Sequence, residues 1–282
     1  MAHAVLDELL AVTSGIGLCW LGNLSWLLRA EGRLIGFDLD LDRDYRAAAT
    51  PIPTAEIAES LDVHLITHGH EDHFSSITSA ILAERSACLF VLPANCVDKA
   101  RALNIAPPRI RVARPGEPFE LPGMSLRPLR ALHGGPRFTV FGGANLDDCG
   151  YHFTFGGVSF LQPGDSVLLQ DHLDLDGVDV LFVSPTVHNT HIDRSCILID
   201  ALQPPYNRRS RSPRRGWWLE PAADGSARPR VTRAPGGPGA VGPFRRADDA
   251  REAWSDLMAL PDPPRSRERW DALAGGTDSS AL

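Results

Sequence analysis

The order of strand-like and helix-like segments predicts an α+β fold, a pair of mixed sheets flanked by helices. Three observations carry this: a meander of short apolar strands near the start, strands alternating with helical spacing in the middle, and two later hairpins followed by a strand and a helix. At 282 residues the chain can form one large domain or two small ones and can bury a sizeable core.

Between residues 16 and 40, "IGLCWLGN", "LSWLLRAEG" and "RLIGFDLDL" read as consecutive strands with turns at Gly22-Asn23 and Glu31-Gly32. "DVHLIT" (62–67) is a compact strand rich in β-branched residues, and "SSITSAILAER" (75–85) has helical spacing with serines at its start. "CLFVLP" (88–93) is the next buried strand, followed by a short helix from Ala94 to Leu103. "PFELPGMSLRPLRALH" is a hairpin turning at Pro122-Gly123 and ending at His133. "GYHFTFGGVSFLQPGDS" is another, turning at Gly156-Gly157 and running into Asp165. "VDVLFVSP" (178–185) is a strand and "HIDRSCILIDALQ" (191–203) a helix.

Beyond Pro204 the texture changes, which divides the chain into a domain over 1–204 and a tail over 205–282. The tail holds about half of the arginines, many prolines and glycines, and no isoleucine or histidine. Nothing in "PYNRRSRSPRRGWW" or "ARPRVTRAPGGPGAVGPFRR" has a period that would bury a face, so the tail is expected to be largely disordered or loosely packed. The exception is a short amphipathic helix over 247–260.

Several function classes recede on composition. Net charge is −7 and the isoelectric point near 5.8, with acidic groups outnumbering basic ones over residues 1–204, so there is no field to draw nucleic acid or an anionic membrane. Five cysteines without a C-x-x-C pair argue against a disulfide framework or thiolate zinc knuckle and fit a reducing cytoplasm. The uncharged stretch 9–28 raises the question of a membrane span. Its glycines, Asn23 and hydroxyls, with no basic region before it, favour two buried strands instead. "GIGLCWLG" has Trp20 where a dinucleotide fingerprint needs glycine.

The concentrated chemistry is "THGHEDHF" (67–74), which places His68, His70, Asp72 and His73 in one strand-to-helix loop of a chain with only ten histidines. Imidazoles two residues apart at a strand end can converge on one ion, and an adjacent Asp-His pair can serve a second a few ångströms away. Divalent ions so held acidify a bridging water and polarise the oxygen it attacks. A single histidine here would read as a surface residue; the whole array does not. On spacing alone His133 reads as readily as a structural histidine, and Asp165 as a turn residue or helix N-cap. His64 and His152 lie inside strands and read as structural.

"THGHEDH" resembles the signature of the metallo-β-lactamase superfamily. The surroundings match it in order: "WLGNLSWLL", "FDLDL" before the motif, "ALH" after a strand and "FLQPGDS" after a hairpin. The resemblance covers roughly residues 15–204 and is nearest the ascorbate-6-phosphate lactonase-like branch. It implies an αββα sandwich, incomplete at its C-terminal end, with the metals at one edge of the packed sheets. It further implies that His68, His70 and His133 hold the first metal and Asp72 and His73 the second, with Asp165 bridging. Asp72 would also orient the bridging hydroxide, making it the catalytic residue. The implied activity is metal-dependent hydrolysis of a small ester, lactone, phosphoester or amide. Zinc is the first expectation, with manganese or iron also suited to mixed histidine and carboxylate ligands. The expected partner is a small molecule, with neither nucleic acid nor membrane. A nuclease of the same superfamily would need a basic groove, which the charge balance does not provide.

The match breaks where the family supplies a last histidine to the second metal, from a strand soon after a helix like 191–203. No histidine follows His191. His188 or His191 would substitute if their loop returned to the metals; without them a mononuclear site on His68, His70 and His133 would still activate water, less effectively, and the alternative is a degenerate, inactive or binding-only member of the fold. Loss of that strand would leave an unpaired sheet edge and poor solubility. The abrupt change after "DALQP", in a chain where arginine vastly outnumbers lysine, prompts the hypothesis of off-frame translation of a GC-rich gene. Reading the other frames near that codon tests it, and absence of a strand-plus-histidine continuation would sink it. Substrate specificity would lie in loops such as 134–148, where Arg137 and Asn145 are as readily solvent-facing as substrate-facing.

Overall fold

In a computed structural model of the chain, the described residues are 3–43, 50, 52–132, 146–183, 201–202, 206–209, 216–220 and 230–233. The chain divides into two compact units, 1–247 and 248–282, and every described residue lies in the first.

The meander near the start forms as the sequence predicts: β1 (Ile16–Gly22), β2 (Ser25–Ala30) and β3 (Arg33–Phe37) pair antiparallel in succession. Ala30 faces Arg33 across a two-residue turn, Glu31 (φ 49°) and Gly32 (φ 76°), both left-handed as the twist of a tight hairpin requires. A Cβ on Gly32 would meet nothing within 4 Å, so glycine serves here for its backbone angle and not for space. The uncharged stretch 9–28 is therefore mostly two sheet strands, and no helix among the described residues is long and apolar enough to cross a membrane.

From β3 the chain passes through α2 (Thr54–Ile57) to β4 (Val63–Leu65), α3 (Ser76–Arg85), β5 (Leu89–Pro93), a 3₁₀ turn (Ala94–Cys96), α4 (Val97–Ala102) and β6 (Ile110–Ala113). Strands β3, β4, β5 and β6 are parallel neighbours, so their C-terminal ends share one edge of the sheet. Helix α3 begins at Ser75, whose hydroxyl accepts from the Thr78 N–H at 3.3 Å. The Arg109 guanidinium donates to the carbonyls of Leu82 and Ala83 near its end. An N-terminal helix, α1 (His3–Leu10), and the strand β6 had no clear sequence signal; β6 is four residues long and follows Pro107-Pro108.

The second sheet contains β7 (Phe119–Leu121), β8 (Met124–Arg130), β9 (Cys149–Phe155), β10 (Val158–Gln162) and β11 (Val180–Val183), with α5 (Gln170–Leu173) between the last two. Both expected hairpins turn where the glycines predicted. Three further strands lie in the stretch expected to pack loosely: β12 (Tyr206–Arg209), β13 (Gly216–Glu220) and β14 (Arg230–Arg233). β12 runs parallel against β11, β13 antiparallel against β1, and β14 against β13. The edge expected to be open beside β11 is thus paired. The helix expected over 191–203 lies outside the described residues except for Ala201 and Leu202, as does that over 247–260.

Three apolar layers define the sandwich. Between the sheets, Leu28, Ile35, Phe37 and Leu65 pack on Tyr151, Phe153, Phe160 and Phe182, with Phe153 stacked on Phe37 at 5.1 Å and on Phe160 at 4.8 Å. Alternation along β9 aims Tyr151, Phe153 and Phe155 inward. Outside the first sheet, Leu27, Leu34, Ile66 and Leu92 meet the helical layer through Leu9, Ile57, Leu82 and Ala100. Outside the second, Leu129, Leu161 and Leu181 meet Leu173, Leu175 and Leu202. Helices on both outer faces make this an αββα arrangement. Arg111 of β6 lies 4.7 Å over the Phe119 ring of β7, clipping the edges of the two sheets together.

Candidate metal centre

The histidine cluster lies in the loop after β4, at the edge where the parallel strands end. Each neighbouring element contributes to holding it. The end of β3 supplies Asp38, whose backbone is left-handed (φ 43°), a conformation aspartate tolerates better than most residues. The Asp38 N–H donates to Leu65 O at 3.0 Å and its carbonyl accepts from the Ser25 hydroxyl at 2.8 Å. Its buried carboxylate accepts from the Thr67 N–H at 2.8 Å, the Thr67 hydroxyl at 2.9 Å and His73 Nδ1 at 2.9 Å.

The second sheet grips the same segment. The buried Tyr151 hydroxyl donates to Ile66 O at 2.6 Å, and the Cys149 N–H donates to Thr67 O at 3.0 Å. At the end of β10 the chain turns through Gly164 (φ 61°) against Thr67; a Cβ there would stand 3.0 Å from Thr67 Cβ. This close approach delivers Asp165 to the histidines.

His68, His73 and Asp165 are buried, and one ligand atom of each lies within 4.8 Å of the others. Because a carboxylate only accepts, His73 carries a proton on Nδ1 toward Asp38, which makes Nε2 the nitrogen it can offer to an ion. That nitrogen makes no hydrogen bond among the described residues and faces Asp165 Oδ2 at 3.4 Å and Asp72 Oδ2 at 3.8 Å. A buried imidazole nitrogen facing two carboxylates is a donor set that fits a divalent cation. Burial opposes charge on His73, but Asp165 and Asp38 outweigh it and raise its pKa well above the ordinary value, which favours a second proton on Nε2 that a bound cation would displace.

His68 Nε2 and His70 Nδ1 stand 3.0 Å apart. That is within a few tenths of an ångström of the roughly 3.3 Å between two nitrogens on one tetrahedral ion with bonds near 2.0–2.1 Å. His68 Nδ1 lies 3.1 Å from the Thr67 hydroxyl. The structure therefore brings five expected ligands to one place: His68, His70, Asp72, His73 and Asp165. His133, His188, His191, Arg137 and Asn145 lie outside the described residues. His64, expected to be structural, is: its Nε2 accepts from the Leu39 N–H at 3.1 Å, and burial pushes its pKa down to about 3.

Asp38 and Thr67 support the site and were not picked out as site residues in the sequence. Their only signal is position, one in "FDLDL" ahead of the motif and the other immediately before His68.

The pattern of a family described as "Beta-lactamase superfamily domain" matches residues 36–198. Among solved structures, Igni18, a metallo hydrolase from the archaeon Ignicoccus hospitalis, is 17% identical, with a TM-score of 0.55 over 71% of this chain and 84% of that one. An isothiocyanate hydrolase from Delia radicum gut bacteria is 15% identical, with a TM-score of 0.55 over 68% of this chain and 84% of that one. CmlA, a diiron β-hydroxylase from Streptomyces venezuelae, is 18% identical, with a TM-score of 0.54 over 70% of this chain and 45% of that one. No curated protein sequence matches the chain.

Proposed function

The chain belongs to the beta-lactamase superfamily, and on that footing we propose that it is a metal-dependent hydrolase of small esters, lactones, phosphoesters or amides. One observation carries this reading: His68, His73 and Asp165 converge in a buried group while Asp38 turns Nε2 of His73 toward two carboxylates. His68, His70 and His133 are assigned to one ion and Asp72 and His73 to a second, with Asp165 between them. Divalent ions bound there would acidify a water toward neutral pH and polarise the oxygen under attack. Asp38 and Thr67 hold the imidazoles in the required tautomers. The Asp72 carboxylate, partly open to solvent, accepts a hydrogen bond from the attacking water and orients it. Zinc suits the nitrogen and oxygen donors first, with manganese or iron next. The substrate reading follows the ascorbate-6-phosphate lactonase-like branch that the motifs resemble. It takes the partner to be a small molecule in the cytoplasm, with no role for nucleic acid or a membrane.

A panel of activated esters, lactones and phosphodiesters, assayed with zinc, manganese or iron(II), tests the reading. Metal-dependent turnover of at least one class, lost in His70→Ala, is expected; no turnover with any metal would overturn it. Iron(II) belongs in the panel because CmlA is a diiron hydroxylase on this fold.

One observation favours a second reading, a binding-only member. β12 occupies the strand position from which the family supplies its last metal histidine, yet holds Tyr206, Asn207, Arg208 and Arg209. Stoichiometric metal without turnover, unchanged by His70→Ala, is the result that reading predicts.

A further inference from the structure

We infer that Lys99 is a positioning residue of the metal centre, its ammonium fixing from behind the loop that carries His68, His70, Asp72 and His73. The inference rests on the reading of that loop as metal-binding and adds to it the group that sets the loop's shape.

Lys99 lies on α4, just after β5, so its side chain approaches the loop from a neighbouring strand end. Its Nζ donates to Gly69 O at 3.1 Å, to Glu71 Oε1 at 2.7 Å and to Phe74 O at 2.5 Å, which uses all three ammonium donors. The anchored residues, 69, 71 and 74, alternate with the ligands at 68, 70, 72 and 73. The ammonium also stands 4.8 Å from the centroid of the buried Phe74 ring. Glu71 extends the clamp, since its carboxylate accepts from the Ser76 N–H at 2.9 Å and the Ser76 hydroxyl at 2.7 Å, tying the loop to the first turn of α3. Inside the loop the N–H groups of His73 and Phe74 both donate to His70 O, at 3.0 and 2.7 Å, forming a turn whose far carbonyl Lys99 caps. Pairing with Glu71 offsets the repulsion that a bare ammonium would exert on a nearby cation.

The residue type supports the assignment. Lys99 is the only lysine among the 28 basic side chains; every other one is arginine. A guanidinium spreads its donors in one plane, whereas the three donors of an ammonium leave one atom and can turn toward three acceptors grouped around it, as Gly69 O, Glu71 Oε1 and Phe74 O are around Nζ. The single lysine stands where that geometry is required.

The test is cobalt(II) binding to the full chain, read by competition with a chromophoric chelator and by the visible spectrum of the bound ion. Lys99→Met keeps the stem and removes the donors; it is expected to weaken binding about 10- to 100-fold and to change the spectrum. Arg109→Met removes caps from the end of α3 without touching the loop, so it serves as the stability control and is expected to bind cobalt as the unsubstituted chain does. Affinity and spectrum unchanged in Lys99→Met, whatever happens to its melting temperature, would overturn the inference. Should Lys99→Met not fold, Glu71→Gln carries the test: weaker binding by roughly threefold with an altered spectrum is expected, and no change in either overturns the inference. His68→Ala separates the two readings. If it retains cobalt, the metal assignment itself fails; if it loses cobalt while Lys99→Met keeps it, only the role of Lys99 fails.

Discussion

His68, His73 and Asp165 are buried and reached by contacts from both sheets, whereas His70 is exposed and the Asp72 side chain keeps 42% of its surface open. The buried half is arranged by folding itself, because Asp38 and Thr67 fix the rings and Gly164 fixes the approach of Asp165. The loop around His70 and Asp72 is held from α4, through Lys99 on Gly69 O and Glu71. A site divided this way has its inner geometry preorganised, while its outer members can adjust to an ion and a substrate.

Removing the keystone of the buried half should have the largest effect. Asp38→Ala removes the buried acceptor shared by the Thr67 N–H, its hydroxyl and His73 Nδ1, and leaves the Thr67 N–H without its partner. A loss of about 3–5 kcal/mol in urea unfolding is expected, together with weaker metal binding. A loss below about 1 kcal/mol would mean that water satisfies those groups equally well.

Acid should expose the same half through His64, a buried residue of β4 that accepts from the Leu39 N–H next to Asp38. Its folded pKa, about 3, lies below the ordinary value of 6.5, so the unfolded chain takes up the proton first. Stability from this group is full above about pH 6.5 and is lost as pH falls toward 3, by about 1.4 kcal/mol per pH unit. Comparing urea midpoints of metal-free His64→Gln and the unsubstituted chain between pH 7 and 4 isolates it; parallel profiles would contradict the assignment.

Where the loop passes into α3, Ser75→Ala should cost about 1 kcal/mol through the lost N-cap, measured by thermal or urea unfolding. The smallest stability effect is expected in the outer half. Asp72→Ala should change stability by no more than about 0.5 kcal/mol while abolishing most turnover. A large destabilisation there would erase the contrast between the halves.

Much of the fold was legible because turn residues and periodicity agreed. Glu31-Gly32, Pro122-Gly123 and Gly156-Gly157 each mark a hairpin that forms, and the histidine array falls at the end of β4. β6 was not legible because a strand only four residues long after two prolines shows too little alternation to read. The strands β12 to β14 gave no local signal either; their pairing with β11 and β1 is long-range, which no window of sequence reports. In the candidate site, His68, His70, Asp72 and His73 stood out by spacing, while Asp165 came only from the family resemblance. Asp38 and Lys99 did not stand out, since each lies about 30 residues from the loop and acts through contacts that exist only once parallel strand ends are side by side.

Anomalous diffraction from crystals grown with zinc would test the central claim most directly. Density is expected for one ion about 2.0–2.2 Å from His68 Nε2 and for a second about that distance from His73 Nε2, with Asp165 carboxylate oxygens in reach of both. Zinc absent from this loop at saturating concentration, or bound only elsewhere, would contradict it.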